Sequence, residues 1–567
     1  MHCISACSCN HLKSYTMSTV KNPVGRILNL LKLEKNEITA IYFYAIMNGL
    51  IQLSLPVGVQ AIISYVLGSS MRASLVVLIS LVVLGVLIAG IMQINQMRII
   101  EKIQQKLFVR YSFAFVHHIP QLDLKKNDAV YLPELVNRFF DVPLLQKSIS
   151  KILLDIPTAV IQILFGLLLL SFYHPVFILF GILLTTILFL ILKYTGGKGL
   201  ATSLEKSRYK YKVAAWLEEM ARVIKSTKLA TANDLHLQKA DQEIGNYLTA
   251  RNKHFNVLLF QFNVLVIFKT IVTAAMLIVG TLLMLNQQLT IGQFIAAEIV
   301  ILLVLNSVEK LIINLGGVYD TLTAVEKASE ITDRPVEKSG TINLPDLKKG
   351  IKIELKDVSF SYNDERNVLQ NINLNIEANE KICITGRESS GKSTLLRLLT
   401  GSYSDYKGSI LFDDLPLGNY QLDSLRSKIG VLLNQQDIFQ GTVWENITLG
   451  NENISTERIK ELAAQTGLHD FIASQKDGLQ TLLDPTGKRL SRNVIHRILL
   501  VRALALQPRL LLLEEPWMNL SPPQQNQIKK LLLNLNDTTV VVVSNDESFA
   551  KECDKIIVLN ENGNIQP

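Results

Sequence analysis

The sequence predicts two folds in one chain: an α-helical domain of six membrane spans, followed by an α/β domain built around a glycine-rich loop. Three observations carry that prediction. Hydrophobic residues make up 49% of the 567 and charged ones only 19%, with a mean hydropathy of +0.26, where a soluble chain carries roughly a quarter charged residues. The apolar excess lies almost entirely before residue 320, in six stretches of the length that crosses a bilayer, about 20 mainly apolar residues. After Glu337–Lys349, short β-rich runs alternate with helical ones. This composition excludes a polar disordered chain. It also excludes a disulfide-built miniprotein, because the five cysteines are thinly spread.

The first 37 residues read as an extension ending in an interfacial helix. Cys3, Cys7 and Cys9 lie near His2 and His11, but without the paired C-x-x-C spacing of a metal site. The segment reads instead as an unstructured extension, with Met17 as an alternative start. No apolar signal-peptide core precedes residue 37. Val24, Ile27, Leu28 and Leu31 fall on one helical face beside Arg26 and Lys32, a pattern suited to the inner membrane surface.

The spans follow at Ile38–Leu67, Ala73–Gln96, Ile152–Tyr173, Pro175–Thr195, Val257–Leu285 and Ile291–Gly317, within a membrane domain placed at 38–325. Three connections are short: Gly68–Arg72, the turn at His174, and Asn286–Thr290. The other two run about 55 and 60 residues and are rich in Lys and Arg, among them Arg98, Lys102, Lys106, Lys125, Lys126, Lys206 and Lys210. The positive-inside rule puts both termini and both long loops in the cytoplasm. With few Gly or Pro, those loops read as helical continuations of the spans. Two charges interrupt the apolar runs, Lys269 and Glu298. At 1.5 Å per residue they lie roughly 24 and 12 Å below the turn at 286–290, which favours separate cavity-lining roles over a direct pair.

A linker is placed at 326–350 and a second domain at 351–567. From residue 351 onward there are 23 Lys and Arg against 27 Asp and Glu, a net of −4, so the first 350 residues carry +12 of the overall +8. The basic half faces anionic headgroups, and no nucleic-acid partner is implied. Strands are expected at Ile351–Leu355, Lys381–Thr385, Ser409–Phe412, Leu510–Leu513, Thr539–Ser544 and Lys555–Leu559. The run Lys381–Thr385 leads directly into Gly386-Arg387-Glu388-Ser389-Ser390-Gly391-Lys392-Ser393-Thr394 and then an expected helix, Leu395–Thr400. This is G-x-x-x-x-G-K-[ST] in its strand–loop–helix context. Backbone N–H groups of such a loop converge on phosphate oxygens. Lys392 then reaches the β- and γ-phosphates, and Ser393 ligates Mg²⁺. A second strand, Leu510–Leu513, ends in Glu514 and Glu515, placing one carboxylate for the Mg²⁺ shell and the next for polarising water.

With these residues in view, the chain resembles an ABC exporter half-transporter, over about residues 20–567. The matching stretches are Val358-Ser-Phe-Ser-Tyr362, the phosphate loop, Gly441-Thr-Val-Trp-Glu-Asn-Ile447, Leu490-Ser491, Arg502-Ala-Leu504 and Glu515-Pro516. The membrane half, through Leu135–Leu153 and no large extra domain, looks most similar to ATPases of type I secretion and peptide export. The resemblance implies an ABC-exporter membrane domain fused to an α/β P-loop ABC ATPase that binds ATP and Mg²⁺. It implies that Tyr362 stacks on adenine and that Glu515 is the catalytic glutamate. It implies a homodimer or a heterodimer in which Ser491 of one subunit caps the phosphate loop of the other. Membrane lipid and a periplasmic adaptor protein are further partners it admits. The loop tips around Gln121–Asp128 and Thr227–Asp234 would act as coupling helices.

The departures from the family pattern cluster at catalytic positions. The signature Leu-Ser-Gly-Gly-Gln reads Leu490-Ser491-Arg492-Asn493-Val494. Glu514 replaces an aspartate. The glutamine that senses phosphate and metal aligns with Asn434, with Gln435 and Gln436 one or two residues away. The switch histidine aligns with Asn545, which donates a hydrogen bond but carries no protonic charge. Ser521 replaces another aspartate, and Ser389 a loop glycine. The phosphate-cradling parts are kept while the geometry-sensing parts are altered. The expectation is firm ATP·Mg binding with slow or partner-dependent hydrolysis. The alternative is a nucleotide-gated, non-hydrolysing regulatory or scaffold subunit.

Overall fold

A computed structural model describes residues 22–67, 72–128, 130–229, 234–362, 367–434, 436–518 and 520–566. The Cys3/Cys7/Cys9 cluster, Met17, most of the first short turn, residues 230–233 of the second loop tip, and Gln435 lie outside them. The chain divides into two compact units, one of residues up to 120 together with 130–334, the other of 121–128 together with 335 onward.

The first unit is helical, with six helices long and apolar enough to cross a membrane. Asn22 caps the helix Pro23–Leu33, its side chain accepting from Val24 N–H. That helix buries Leu30 and leaves Val24 and Leu28 exposed, as its amphipathic pattern requires. The first span is two helices, Lys35–Gln52 and Ser54–Leu67. The break at Leu53 falls where the ring nitrogen of Pro56 has no hydrogen for the carbonyl of Gln52. The helices Arg72–His118 and Val176–Arg222 each contain 47 residues, or about 70 Å, more than twice the roughly 30 Å hydrocarbon core. The long connections are thus continuous with the spans.

Several polar side chains inside this bundle pair with one another. Gln52 donates to Asn48 (3.2 Å) and accepts from Gln162, whose own oxygen accepts from Ser307 Oγ at 2.8 Å. Lys269 Nζ lies 2.9 Å from Glu309 Oε2. Its partner is therefore Glu309, about three turns past the depth of Glu298. The same helical rise puts Glu309 about 28 Å below the outer turn, near the depth of Lys269 at about 24 Å.

The second unit has two sheets. One is antiparallel, ordered β2-β1-β4-β5, from Ile353–Phe360 (β1), Leu369–Ile376 (β2), Lys407–Phe412 (β4) and Leu415–Pro416 (β5). The other is parallel, ordered β11-β3-β10-β9-β6, from Lys381–Gly386 (β3), Ile429–Leu432 (β6), Leu510–Glu514 (β9), Thr539–Val543 (β10) and Lys555–Leu559 (β11). Gly441–Thr442 (β7) and Leu482–Leu483 (β8) form a small separate pair. β9 and β10 are buried along their whole length, hence their unbroken apolar sequences.

Five strands lie outside the expected set: β2, β6 and the two-residue β5, β7 and β8. β2 alternates Leu and Ile with Asn, a residue depleted from strands. β6 is four residues long and contains Gly430, where an added Cβ would fall 2.1 Å from the Ala503 carbonyl oxygen. Only glycine allows that approach.

Residues 121–128 complete this unit. Leu122 is buried and bridges to Val336, and Glu337 N–H donates to Gln121 O at 2.8 Å. Lys125 Nζ binds Asp405 at 3.0 Å and lies 5.2 Å over the Phe360 ring.

Candidate nucleotide site at the carboxyl edge of the parallel sheet

Register builds the site. Val543 of β10 is level with Ile384 of β3 and with Glu514 of β9. The residues that follow these three positions therefore emerge side by side: Thr385–Gly386, Ser544–Asn545 and Glu515. Carboxyl ends of parallel strands are where such folds bind ligands.

The loop after β3 bends through left-handed conformations at Gly386 (φ 147°), Ser389 (φ 62°) and Gly391 (φ 94°). Glycine occupies two of these without steric cost, whereas Ser389, where the family has glycine, carries a penalty of about 1 kcal/mol. Gly391 is also crowded: a Cβ there would meet Leu369 at 2.7 Å and the Val368 carbonyl at 3.0 Å. The loop ends at the helix Lys392–Leu399, whose first turn points its N–H groups at the same concavity. Arg387 pairs with Glu561, and Ser390 is buried with its hydroxyl unpaired.

Lys392 Nζ donates to the carbonyls of Gly386 and Arg387, both at 2.6 Å. Burial pulls its ammonium below the usual lysine range, and the carboxylates of Glu515, Glu388 and Glu514 oppose that shift. Ser393 Oγ donates to Glu514 Oε1, while Glu514 Oε2 accepts from Asn434 N–H at 3.0 Å. Asn434 thus contributes its backbone here. Among the described residues no group of three or more His, Cys, Asp or Glu gathers. The oxygens of Ser393 and Glu514 are hard donors that suit Mg²⁺, an ion that completes its shell with substrate phosphates and water.

Glu515 has φ 45°, a left-handed conformation that is costly for a residue with a Cβ. Its N–H bonds Val543 O at 2.9 Å, and its Oε2 accepts from Ser544 Oγ at 2.9 Å. The backbone twist and the serine together hold the carboxylate at the sheet edge. Asn545 Oδ1 accepts from Gly386 N–H at 3.3 Å, which ties the switch position to the phosphate loop. Ser544 escaped the sequence reading because its partner lies one strand away.

Tyr362 lies beside the same helix. Its hydroxyl is 3.1 Å from Thr394 Oγ1 and accepts from Arg397 Nη1 at 3.1 Å, and its ring packs edge-on to Phe360 and Tyr403. Ser491 is exposed and caps the helix Arg492–Ala505, accepting from Val494 N–H. Among the described residues no hydrogen bond joins it to the phosphate loop. Arg492 and Asn493 begin that helix, Arg492 exposed and Asn493 half-buried. One turn in, His496 Nε2 donates to Pro516 O at 2.8 Å, and burial pulls its pKa below the usual histidine range. The helix behind the signature thereby braces the turn that follows Glu515.

Comparison with known proteins agrees with this geometry. The family model for the ABC transporter transmembrane region matches residues 38–308, and the one for the ABC transporter matches 369–518. The alpha-hemolysin translocation ATP-binding protein HlyB of Escherichia coli O157:H7 is 31% identical over 62% of this chain and 50% of its own length. An ATP-dependent lipid A-core flippase of Saccharophagus degradans is 34% identical over 43% and 42%. The uncharacterized ABC transporter ATP-binding protein YknV of Bacillus subtilis is 25% identical over 89% and 87%. The chain thus spans about half the length of HlyB. A bacterial Atm1-family ABC exporter solved with ATP bound shares the fold, with a TM-score of 0.80 over 94% of both chains at 18% identity.

Proposed function

Because the chain belongs to the ABC transporter family, with the membrane region and the ATP-binding domain of a half-transporter in one polypeptide, we propose that it is one subunit of a dimeric, ATP-driven exporter whose hydrolysis is slow or partner-dependent. The observation that carries this reading is the convergence of Lys392, Ser393, Glu514, Glu515 and Asn545 at one sheet edge. Substrate moves outward from the cytoplasm, where both termini lie, as the loop charges argue. The likeness to HlyB supports a peptide or protein cargo; the likeness to lipid A-core flippases supports a lipid one.

The residues act as follows. Lys392 exchanges its two loop carbonyls for the β- and γ-phosphates, and the loop amides and the helix N-terminus hold the remaining oxygens. Ser393 and Glu514 would hold Mg²⁺, which would supply charge compensation at the phosphates. Glu515 orients and polarises the attacking water through Oε1, since Ser544 holds Oε2 in place. Asn545 uses Oδ1 on Gly386, leaving Nδ2 as a donor to the γ-phosphate. It supplies position without the charge of a histidine, so hydrolysis is slower than the binding residues alone would give. Ser491 and Arg492 act on the nucleotide of the partner subunit, where the arginine side chain widens a contact built for glycine.

The second reading is a nucleotide-gated subunit that does not hydrolyse ATP, favoured by Arg492 and Asn545. ATPase measurements on the purified protein in lipid nanodiscs, wild type beside Glu515→Gln, separate the two. The proposal expects tight ATP binding and slow hydrolysis that Glu515→Gln abolishes. Binding with no Glu515-dependent turnover, alone or with a partner half-transporter, establishes the second reading. Fast unaided turnover overturns the claim of weak catalysis.

A further inference from the structure

We propose that Glu514 is a direct ligand of the divalent cation, sharing its inner shell with Ser393, and that this tilts the site toward Mn²⁺ relative to an aspartate at the same place. The inference rests on the reading of this edge as a metal–nucleotide site.

Glu514 ends β9 and is 6% exposed. Both of its oxygens are engaged: Oε1 accepts from the Ser393 hydroxyl, and Oε2 from Asn434 N–H at 3.0 Å. Hydrogen-bonded oxygens lie about 2.5–3.0 Å apart. Neighbouring ligands of an octahedral cation with bonds of about 2.1 Å lie about 3.0 Å apart. A cation that takes the Ser393 oxygen therefore meets Glu514 Oε1 after a shift of a few tenths of an ångström, and the hydroxyl hydrogen turns aside.

An intervening water would require the carboxylate to retreat by roughly a water diameter. The Asn434 N–H holds Oε2 against that retreat, and β9 is buried along its whole length. A side chain one methylene shorter on the same strand end stops about 1.3 Å short and leaves the ligand position to water. Mg²⁺ gives up water reluctantly. A site that removes one water more than usual therefore penalises Mg²⁺ relative to Mn²⁺.

The test counts waters on Mn²⁺ bound with a non-hydrolysable ATP analogue to the full-length protein, from ¹⁷O-water broadening of the electron paramagnetic resonance spectrum. Two phosphate oxygens, Ser393 and Glu514 leave two waters in the wild type. Glu514→Asp is expected to show three, with the preference for Mn²⁺ over Mg²⁺ in supporting analogue binding reduced about tenfold. Ser393→Ala, should Glu514→Asp fail to fold, is expected to gain one water over the wild-type two. Three waters in the wild type, or equal counts in wild type and Glu514→Asp, overturn the inference while leaving the metal–nucleotide reading intact. Absence of any nucleotide-dependent Mn²⁺ signal overturns both.

Discussion

Replacing Lys392 by Met removes the charge of the phosphate loop and keeps the length and apolar stem of the side chain. The effect on ATP affinity follows from what the lysine does before nucleotide arrives. At about 4 Å and an effective dielectric of about 20, an ammonium–phosphate pair is worth about 4 kcal/mol. To make it, Lys392 gives up its hydrogen bonds to Gly386 O and Arg387 O, each worth about 1 kcal/mol net. The difference, about 2 kcal/mol, corresponds to roughly 30-fold in Kd. Lys392→Met is therefore expected to weaken ATP binding about 30-fold, a smaller loss than the bare charge interaction suggests. Equilibrium binding of a fluorescent ATP analogue to the nanodisc-embedded protein measures it, with unfolding temperature as the control for integrity. A change under 3-fold would refute the reasoning, because it would mean that the lysine keeps its loop carbonyls in the complex. A loss beyond about 1,000-fold would show that those carbonyl bonds offset nothing.

Three further outcomes follow from other parts of the structure. Burial pushes the Asp546 carboxyl up, but hydrogen bonds from Lys529, Ser548 and the Phe549 N–H outweigh it and hold the group at about 2. A carboxyl depressed by folding contributes stability above its unfolded value near 4, and that contribution disappears as pH falls through about 2. Asp546→Asn is expected to cost about 2 kcal/mol at pH 7, with the gap to wild type in thermal unfolding narrowing toward pH 3. Lys269→Met leaves Glu309 unpaired among apolar helices and is expected to destabilise by about 2–3 kcal/mol. Adding Glu309→Gln should recover most of that loss in the unfolding temperature, and a double variant no more stable than the single one would mean that the pair is not coupled. Arg492→Gly is expected to raise steady-state ATP turnover about 10-fold or more if crowding at the signature limits hydrolysis; unchanged turnover would place the limit at Asn545 or Glu514 instead.

Most of the site was legible because its chemistry is carried by contiguous residues. A loop that wraps phosphate needs its glycines, lysine and serine within one turn of backbone, so Gly386–Thr394 announces itself. The same holds for β9 running into Glu514-Glu515, since a buried parallel strand is apolar throughout. What could not be read were contacts made across strands. Ser544 on Glu515, Asn434 N–H on Glu514 and Asn545 on the Gly386 amide depend on the register of β3, β9 and β10. Asn434 looked like a side-chain ligand in alignment and acts here through its backbone.

The membrane half divides in the same way. By itself the sequence determined six spans and their continuation as long helices, because hydropathy and the absence of helix breakers are local properties of the chain. It placed Lys269 and Glu298 at different depths and so doubted that pair, but Glu309 emerged as the partner only when the fifth and sixth helices were packed together. Likewise, nothing local marks residues 121–128 as part of the second unit. Leu122 on Val336 and Lys125 on Asp405 and Phe360 join positions more than 200 residues apart. Periodicity and motif spacing encode which elements form. Which side chains meet is settled by packing, where burial and hydrogen-bond geometry choose among partners that the chain alone leaves equivalent.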